Sequence, residues 1–374
     1  MNDSKIKIFV DCHVFDYGFQ GTRTYIQGLY LEFTKNKNYT FYLASNKTEI
    51  LKSIFGESQN IVYLKYKSNN KLVRILIEIP TIISHHKIDF AHFQYIVPPI
   101  KKCKYIVTTH DVLFLDFPEF FPILNRIKNN FLYKQSANLA DIRLTVSNYS
   151  KAKIEKHYKL KNFLVTPNAV SDVFFESYNK QEIQEEVLNK YNIKNHIVYI
   201  SRWEPRKNHD LVLRAFVDLK LYHTHQLIFV GDTTFKNEIY ETLYKSLESN
   251  ITSQIKSFKK IDFNAMISFL RSAKAFVYPT VAEGFGIPPL EAIAAKIPTL
   301  CSNKTAMADF EFFEEFLFDP TNEEEFKFKL STLLHTNNTE RVLDISKKIK
   351  SKYSWKKSAL VLENAIATSN ITDF

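Results

Sequence analysis

Glycine and cysteine are scarce in this chain of 374 residues, which contains seven glycines and three cysteines. The glycines form no triplet of the dinucleotide-binding type, which argues against a nicotinamide or flavin cofactor. Cys12, Cys103 and Cys301 are too few and too widely separated for a disulfide framework, and no zinc-type spacing of Cys and His occurs. We therefore predict a cytoplasmic protein without a cofactor.

Long apolar runs are also missing, and crossing a bilayer requires roughly 20 apolar residues. The most apolar helical candidate, Leu72 to Ser84, is interrupted by Arg74 and Glu78. The chain begins with a polar tetrapeptide that leads directly into a strand-like segment, without the apolar stretch of a secretory signal. We expect neither a membrane span nor a secretory signal.

Basic residues outnumber acidic ones by ten, which predicts attraction to polyanions. The lysines are dispersed among asparagines instead of gathered with aromatic residues, which argues against the alternative of a nucleic-acid-binding protein. We predict instead that Lys65, Lys67, Lys71 and Arg74, beside the apolar helix that follows, attach the protein to an anionic membrane surface at the inner face. A solvated helix face is the alternative interpretation.

Short apolar runs alternate with helical stretches along the chain, a pattern typical of the α/β class with parallel sheets. The length fits two domains, and a turn-like break at 166–170 places the boundary near Val170. The predicted domains are therefore residues 1–170 and 171–354. The apolar runs are Ile6–Val10, Thr40–Ala44, Ile61–Leu64, Ile88–Phe93, Tyr105–Thr109, Ile142–Val146, His196–Ser201, Gln226–Gly231, Ala275–Pro279 and Thr299–Ser302.

The segment from Glu283 to Glu291 follows one of these runs and contains two glycines before a proline-rich helix start. Ligands of parallel α/β sheets bind at the carboxyl ends of strands, and a helix N-terminus with unpaired N–H groups at Gly286 and Ile287 suits an anion. The two carboxylates suit sugar or ribose hydroxyls, and we expect Glu291 in the first helical turn. A glycine turn before a helix whose dipole Glu291 offsets is the structural alternative.

Three further loops carry candidate ligand-binding residues. Arg202 and Lys207 bracket a loop after the run at 196–201, where two cations can neutralise a diphosphate, although a solvated loop is the alternative. His110 follows the run at 105–109, where a histidine is well placed to contact a ligand. The structural alternative is a histidine that pairs locally with Asp111 or the backbone. Gly21 belongs to a loop after the first run. This loop either lines one side of a ligand-binding cleft or forms an ordinary turn.

In their order and spacing these segments resemble the family-four retaining glycosyltransferases of the GT-B fold, which include bacterial enzymes of cell-surface polysaccharide synthesis. The resemblance implies two Rossmann-like domains whose parallel sheets face each other across a cleft. The donor would bind mainly to the second domain, and a final helix at about 355–374 would return to the first. The motifs are Gly21–Tyr25, Thr109–Asp111, Thr145–Ser147, Pro167–Val170, Ser201–Asn208, Val230–Asp232, Glu283–Glu291 and Ser354–Trp355.

The resemblance also implies roles for residues of the second domain. Glu291 would hold the ribose hydroxyls of a nucleotide-sugar donor, and Glu283 would contact the transferred sugar. Arg202 and Lys207 would bind the donor diphosphate. The loop formed by Phe285, Gly286 and Ile287 would bind the donor beside them.

For the first domain, the resemblance places Gly21 at the donor and His110 near the transferred sugar, where it would steady positive charge at the anomeric carbon. Arg202, Lys207 and a helix N-terminus would replace a metal ion, and no two aspartates stand at positions i and i+2 as in the metal clamp of the other large glycosyltransferase fold. The predicted activity is hexosyl transfer to a saccharide or lipid-linked saccharide acceptor in O-antigen or capsule synthesis. A sugar-nucleotide epimerase of the same fold is the alternative.

Overall fold

The chain forms two compact units, one made of Met1–Ala169 with Ser354–Phe374 and the other of Val170–Tyr353. The computed structural model describes residues 5–18, 20–233, 235 and 237–369. Each unit is built around one parallel sheet with helices, so the predicted α/β class is confirmed.

The first unit contains a sheet of seven parallel strands in the order β3-β2-β1-β4-β5-β6-β7. Strands β4 and β5 are buried along their whole length, as is usual for strands of a parallel sheet that helices cover on both faces. The strands are β1 Ile6–Asp11, β2 Tyr39–Ser45, β3 Ile61–Lys65, β4 Phe90–Gln94, β5 Lys104–Thr108, β6 Ile142–Thr145 and β7 Phe163–Val165.

Helices connect these strands. The connection between β3 and β4 includes a π-helical turn at Arg74–Glu78. The short 3-10 helices of the unit are His13–Asp16 and Pro118–Phe120. The α-helices are Gly21–Phe33, Thr48–Phe55, Lys71–Val73, Ile79–His86, Leu113–Asp116, Ile123–Leu139, Asn148–Tyr158 and Trp355–Thr368.

The helix Trp355–Thr368 packs on the helix Gly21–Phe33 within this unit. At the contact, a Cβ atom added to Gly28 would lie 2.0 Å from Cε2 of the Trp355 ring. Only a residue without a side chain leaves room for the indole there, because packed interiors have few voids larger than a water molecule. The Trp355 ring also lies 6.1 Å from the ring of Tyr25, and the hydroxyl of Tyr25 lies 2.7 Å from that of Thr166.

The second unit contains a sheet of six parallel strands in the order β10-β9-β8-β11-β12-β13. Its strands are β8 His196–Ile200, β9 Gln226–Val230, β10 Ile255–Phe258, β11 Ala275–Tyr278, β12 Thr299–Ser302 and β13 Leu317–Phe318. Its α-helices are Lys180–Tyr191, His209–Asp218, Glu238–Ser246, Ser249–Thr252, Phe263–Ser272, Ile287–Ala294, Glu323–His335 and Thr339–Lys352. Its 3-10 helices are Asp172–Phe175, Pro205–Lys207, Leu221–His223, Thr305–Asp309 and Glu311–Phe316.

The strand order of each sheet reverses at one point, between β1 and β4 in the first unit and between β8 and β11 in the second. At such a point the loops after neighbouring strands diverge and leave a crevice at the carboxyl ends of the strands, which is where open α/β sheets bind ligands. Each unit therefore has a candidate ligand-binding crevice, and in the second unit the predicted site residues Lys207 and Glu283 follow the two strands beside it, β8 and β11.

Each of the ten predicted apolar runs coincides with a strand, and no strand boundary differs from the prediction by more than two residues. Three strands at or near sheet edges, β7, β10 and β13, were not predicted. Strands β7 and β13 are only three and two residues long, and β10 has the mixed sequence Ile-Lys-Ser-Phe. Strands so short or so polar lack the apolar run that indicates a buried strand.

Candidate functional site

Glu283 lies in the second unit, where the loop after β11 meets the loop after β8. Four donors reach its Oε1 atom: the Lys207 ammonium, Arg206 Nη1 at 2.9 Å, Thr280 Oγ1 at 3.0 Å and the Tyr278 hydroxyl at 3.2 Å. Among the described residues none donates to Oε2. One carboxylate oxygen is thus held by the protein, while the other remains available to a ligand hydroxyl.

The charges of this cluster are strongly coupled. Burial raises the pKa of Glu283, but the positive charges of Arg206 and Lys207 outweigh it and lower the pKa to about 2. Burial and the neighbouring charge of Arg206 lower the pKa of the Lys207 ammonium to about 8, against the opposing effect of Glu283. At neutral pH the carboxylate is ionised and the ammonium is held charged in a buried position by its partner.

Local backbone geometry directs Lys207 inward. The 3-10 turn Pro205–Lys207 ends at Asn208, whose left-handed conformation has φ 56° and begins the helix His209–Asp218. Asparagine is one of the few residues that adopts this conformation readily. The Lys207 side chain is consequently 8% exposed, and its Nζ atom lies 5.5 Å from the centroid of the Tyr278 ring.

Arg206, which sequence reasoning did not select, is the second cation of the cluster. Besides Glu283 it binds Oε2 of Glu204 at 2.7 Å and the carbonyl of Ala282. The predicted Arg202 has a more exposed side chain and pairs with Oε1 of the same Glu204 at 2.9 Å. The structure thus brings Lys207 and Glu283 together directly and links Arg202 to them only through Glu204 and Arg206.

Gly286 precedes the helix Ile287–Ala294 with a φ of 92°, a conformation that favours glycine. A Cβ atom there would also lie 3.0 Å from the sulfur of Met307. Within the described part of the chain, no acceptor faces the N–H groups of Gly286 and Ile287 at hydrogen-bond distance. Pro288 and Pro289 follow and have no N–H group. The N–H groups of Gly286 and Ile287 are therefore the unpaired donors at the start of this helix.

Glu291 is the fifth residue of that helix, so the expectation that it lies in the first turn is wrong. A carboxylate beyond the first turn gains little from the helix dipole, which weakens the structural alternative. The side chain is half-buried, and burial raises its pKa to about 7. No hydrogen bond or ion pair of its carboxylate occurs among the residues that the structure describes.

The other predicted donor-binding residues differ in what their side chains can offer. Phe285 is buried against Phe310 and Tyr353, at ring distances of 5.9 and 5.5 Å, so only its backbone can face a ligand. Ile287 is half-buried. Gly21 is the first residue of the helix Gly21–Phe33, and an added Cβ would meet no atom within 4 Å.

His110 lies in the first unit directly after β5 and its side chain is buried. Its Nε2 atom lies 2.8 Å from Oε1 of Gln94, so its partner is neither of those considered from the sequence. The ring packs on Tyr25 and Tyr95 at 5.0 and 5.3 Å. Burial lowers the pKa of His110 to about 3, which keeps the imidazole neutral.

One part of the membrane prediction is wrong. The Arg74 side chain is buried, with Nε at 3.9 Å from Asp11 Oδ2 and the guanidinium 5.8 Å from the ring of Tyr66. It cannot contribute to a basic surface. No described helix is long and apolar enough to cross a membrane, and no three His, Cys, Asp or Glu residues cluster as a metal site in the described ranges.

Comparisons with known proteins match both units. Residues 20–173 match the family model described as Glycosyltransferase Family 4, and residues 180–351 match that described as Glycosyl transferases group 1. O-antigen chain mannosyltransferase B of Escherichia coli is 26% identical over 235 residues, which span 59% of this chain. The alignment covers 60% of that relative's own length.

Two solved structures are similar over almost the whole chain. Sucrose-phosphate synthase from Thermosynechococcus elongatus has a TM-score of 0.76 at 16% identity and covers 98% of this chain and 100% of its own. HepE of Anabaena in complex with UDP-glucose has a TM-score of 0.70 at 14% identity with the same coverage. At these identities the likeness establishes the fold.

Proposed function

We propose that this chain, which belongs to the family-four glycosyltransferases of the GT-B fold, uses a nucleotide-sugar donor and retains the anomeric configuration of the sugar that it transfers. The family membership and the O-antigen mannosyltransferase among its relatives support a role in surface polysaccharide synthesis. The proposed acceptor is a saccharide or a lipid-linked saccharide, and the proposed sugar is a hexose.

The observation that carries this proposal is the set of unused ligand-binding groups around the crevice of the second unit. Glu283 has one carboxylate oxygen without a protein donor, and Glu291 has no protein partner among the described residues. Gly286 and Ile287 present two N–H groups without acceptors in the same loop. Carboxylates that lack donors and N–H groups that lack acceptors are complementary to the hydroxyls and the diphosphate of a nucleotide sugar.

We assign the diphosphate to Lys207 and to the N–H groups of Gly286 and Ile287. The ribose hydroxyls are assigned to Glu291 and a hydroxyl of the transferred sugar to Oε2 of Glu283. Support for the donor class comes from HepE, which was solved with UDP-glucose bound. The base and the sugar of the donor are matters for a binding screen.

In the proposed reaction the bond between the anomeric carbon and the diphosphate oxygen breaks, and the leaving diphosphate keeps the electron pair. The acceptor hydroxyl attacks from the face that the diphosphate leaves, and a phosphate oxygen takes its proton. Lys207 and the N–H groups stabilise the negative charge that develops on the leaving group, which is the main electrostatic task of such a site. The same charges support a transfer that needs no metal ion.

His110 is assigned to the anomeric centre. A neutral imidazole, as its lowered pKa requires, does not repel the positive charge that develops on the sugar. Its orientation is fixed by Gln94 and by the packing of Tyr25 and Tyr95.

A calorimetric screen of UDP, GDP and ADP sugars, followed by product analysis with and without a saccharide acceptor, tests the proposal. We expect one donor to bind and the transferred sugar to appear on the acceptor in the donor's anomeric configuration. Conversion of the donor alone to an epimer, without any transfer, would contradict the proposal and support the sugar-nucleotide epimerase.

A further inference from the structure

A second cleft, with a volume of about 560 Å³, opens on the second unit. It is lined by the helix Lys180–Tyr191 and by residues at the amino ends of β8 and β11, and we call it the amino-end cleft. Its volume is within the range of small-molecule binding sites. The lining residues that determine its chemistry are Gln184, Glu185, Ile193, Lys194, His196 and Lys274.

The amino-end cleft is separate from the proposed donor site. His196 begins β8 and Lys274 immediately precedes β11, whereas Lys207 and Glu283 follow the carboxyl ends of the same two strands. A parallel strand advances by about 3.3 Å per residue, so the length of β8 alone places the two sites roughly 15 Å apart. A small ligand in the amino-end cleft therefore does not reach the residues assigned to the donor.

The hydrogen bond of His196 fixes the tautomer of its ring. The side chain is buried, and its Nε2 atom lies 2.8 Å from the carbonyl oxygen of Phe269. A carbonyl oxygen only accepts, so Nε2 carries the proton and Nδ1 of the neutral ring is an acceptor. Burial lowers the pKa of His196 to about 4, which keeps the ring neutral at physiological pH. No described residue donates to Nδ1, so this acceptor remains for a ligand.

The helix Lys180–Tyr191 adds two more acceptors to the amino-end cleft. Gln184 donates its Nε2 amide to the carbonyl of Ser272 at 3.2 Å, and its Oε1 atom has no donor among the described residues. The exposed carboxylate of Glu185 has no ion pair in the same part of the chain. A polyhydroxylated ligand supplies donors for these atoms and for His196, whereas a bare anion does not. Ile193 offers an apolar wall for the C–H groups of such a ligand.

Lys194 and Lys274 make the amino-end cleft basic. Both side chains are exposed, and no described acidic residue lies within ion-pair distance of either ammonium. A third lysine, Lys180, lies beside them and donates its Nζ to the carbonyl of Ala273 at 2.8 Å. Burial and the charge of Lys274 lower the pKa of Lys180 to about 8, against its usual value near 10.5. This edge of the sheet therefore carries an excess of positive charge that attracts an anionic group.

We propose that the amino-end cleft binds an acidic sugar, with its carboxylate or phosphate at Lys194 and Lys274 and its hydroxyls at Nδ1 of His196 and Oε1 of Gln184. A neutral sugar leaves the two ammonium groups unpaired, and an inorganic anion leaves the acceptors unpaired. A free sugar phosphate and an acidic unit of a saccharide chain share this chemistry. The inference goes beyond the transfer reaction and does not depend on the identity of the donor.

The test is calorimetry at low salt with glucose 6-phosphate, trigalacturonic acid, maltotriose and inorganic phosphate. At least one of the two acidic sugars should bind about tenfold or more tightly than maltotriose and inorganic phosphate. Tighter binding of glucose 6-phosphate would identify a free sugar phosphate, and tighter binding of trigalacturonic acid an acidic chain. Equal binding of inorganic phosphate would reduce the cleft to an ion site only. That result, equal binding of maltotriose, or no binding of either acidic sugar would overturn the proposal.

The double variant Lys194→Gln/Lys274→Gln should bind the acidic sugar about tenfold more weakly, because it removes both positive charges at exposed positions. The matched control is Lys245→Gln/Lys347→Gln, which neutralises two exposed lysines of the same unit outside the cleft and should bind like the unmodified chain. Thermal unfolding verifies that each variant is folded. Equal losses in the two double variants would contradict the proposal.

Lys207→Ala locates the acidic sugar. Its binding should be unchanged in this variant, because Lys207 lies at the opposite edge of the sheet. Loss of binding in Lys207→Ala with retention in Lys194→Gln/Lys274→Gln would move the ligand to the donor crevice and overturn the proposal. Failure of every nucleotide sugar to bind, with acidic-sugar binding intact, would instead contradict the proposed function alone.

Discussion

Lys207 and Glu283 form an ion pair in which the two side chains are only 8% and 12% exposed. Buried charges of this kind are costly unless each is neutralised, and removing one partner leaves the other uncompensated. The pair joins the loop after β8 to the loop after β11. It is consequently both a structural link and the centre of the proposed donor site.

Replacing Glu283 by Gln should lower the free energy of unfolding by about 3 kcal/mol, because Lys207 and Arg206 would remain buried without their common carboxylate. The control is Glu323→Gln, which breaks partly exposed pairs with Arg214 at 2.9 Å and Lys327 at 3.0 Å and should cost less than about 1 kcal/mol. Denaturant titration of both variants measures the difference. Equal losses would show that the Glu283 cluster is no stronger than a surface pair.

Arg202 and Arg206 should respond differently to replacement by Met. Arg206→Met should lower both stability and turnover, because Arg206 holds the Glu283 carboxylate and the carbonyl of Ala282. Arg202→Met should leave stability within about 0.5 kcal/mol, since the side chain is 56% exposed. If Arg202 contacts the diphosphate as predicted, its variant should still weaken donor binding about tenfold. Unchanged donor affinity would remove Arg202 from the site.

Glu291→Gln should stabilise the protein while weakening donor binding. The folded pKa of about 7 lies above that of an unfolded glutamate, so the contribution of this group is complete at acid pH and is lost as the pH rises through 7. The variant should therefore gain about 1 to 3 kcal/mol at pH 8 and nothing at pH 4. Unfolding measured at both pH values tests this, and a loss of stability at pH 8 would contradict it.

Donor affinity should depend on pH within a narrow window. It should rise as the pH increases through about 7, because the ionised Glu291 accepts the ribose hydroxyls, and fall above about 8 as Lys207 loses its proton. Calorimetry between pH 5.5 and 9 would show both limbs, the range being set by roughly one unit on either side of these values. Lys207→Arg should remove the upper limb only. A lower limb that survives in Glu291→Gln would assign it to another group.

Gly28→Ala should destabilise the first unit by about 1 to 3 kcal/mol, because the added methyl group would overlap the Trp355 ring. Gly21→Ala is its control, since nothing lies within 4 Å of an added Cβ at that position. Thermal unfolding followed by tryptophan fluorescence compares them. A weaker donor affinity of Gly21→Ala at unchanged stability would support the predicted donor role of Gly21.

The fold could be predicted because its information is local. Each predicted strand is a short, mostly apolar run, and the glycine loop before the helix Ile287–Ala294 lies within one short segment of sequence. The predictions that were wrong concern residues whose environment depends on contacts between distant segments. In the sequence, Arg74 resembles the neighbouring surface cations. Only the folded structure shows that it is buried beside Asp11 and Tyr66.

The same limit applies within the candidate site. Arg206 and Arg202 are alike in sequence, and only the 3-10 turn Pro205–Lys207 determines which of them reaches Glu283.

The most direct test of the donor site is calorimetric binding of the nucleotide sugar found in the screen to the unmodified chain and to Glu291→Ala and Lys207→Ala. We predict measurable binding to the unmodified chain and a loss of about tenfold or more in each variant that remains folded. Binding that is equal in all three proteins, or no binding of any nucleotide sugar, would contradict the assignment of the donor to this crevice.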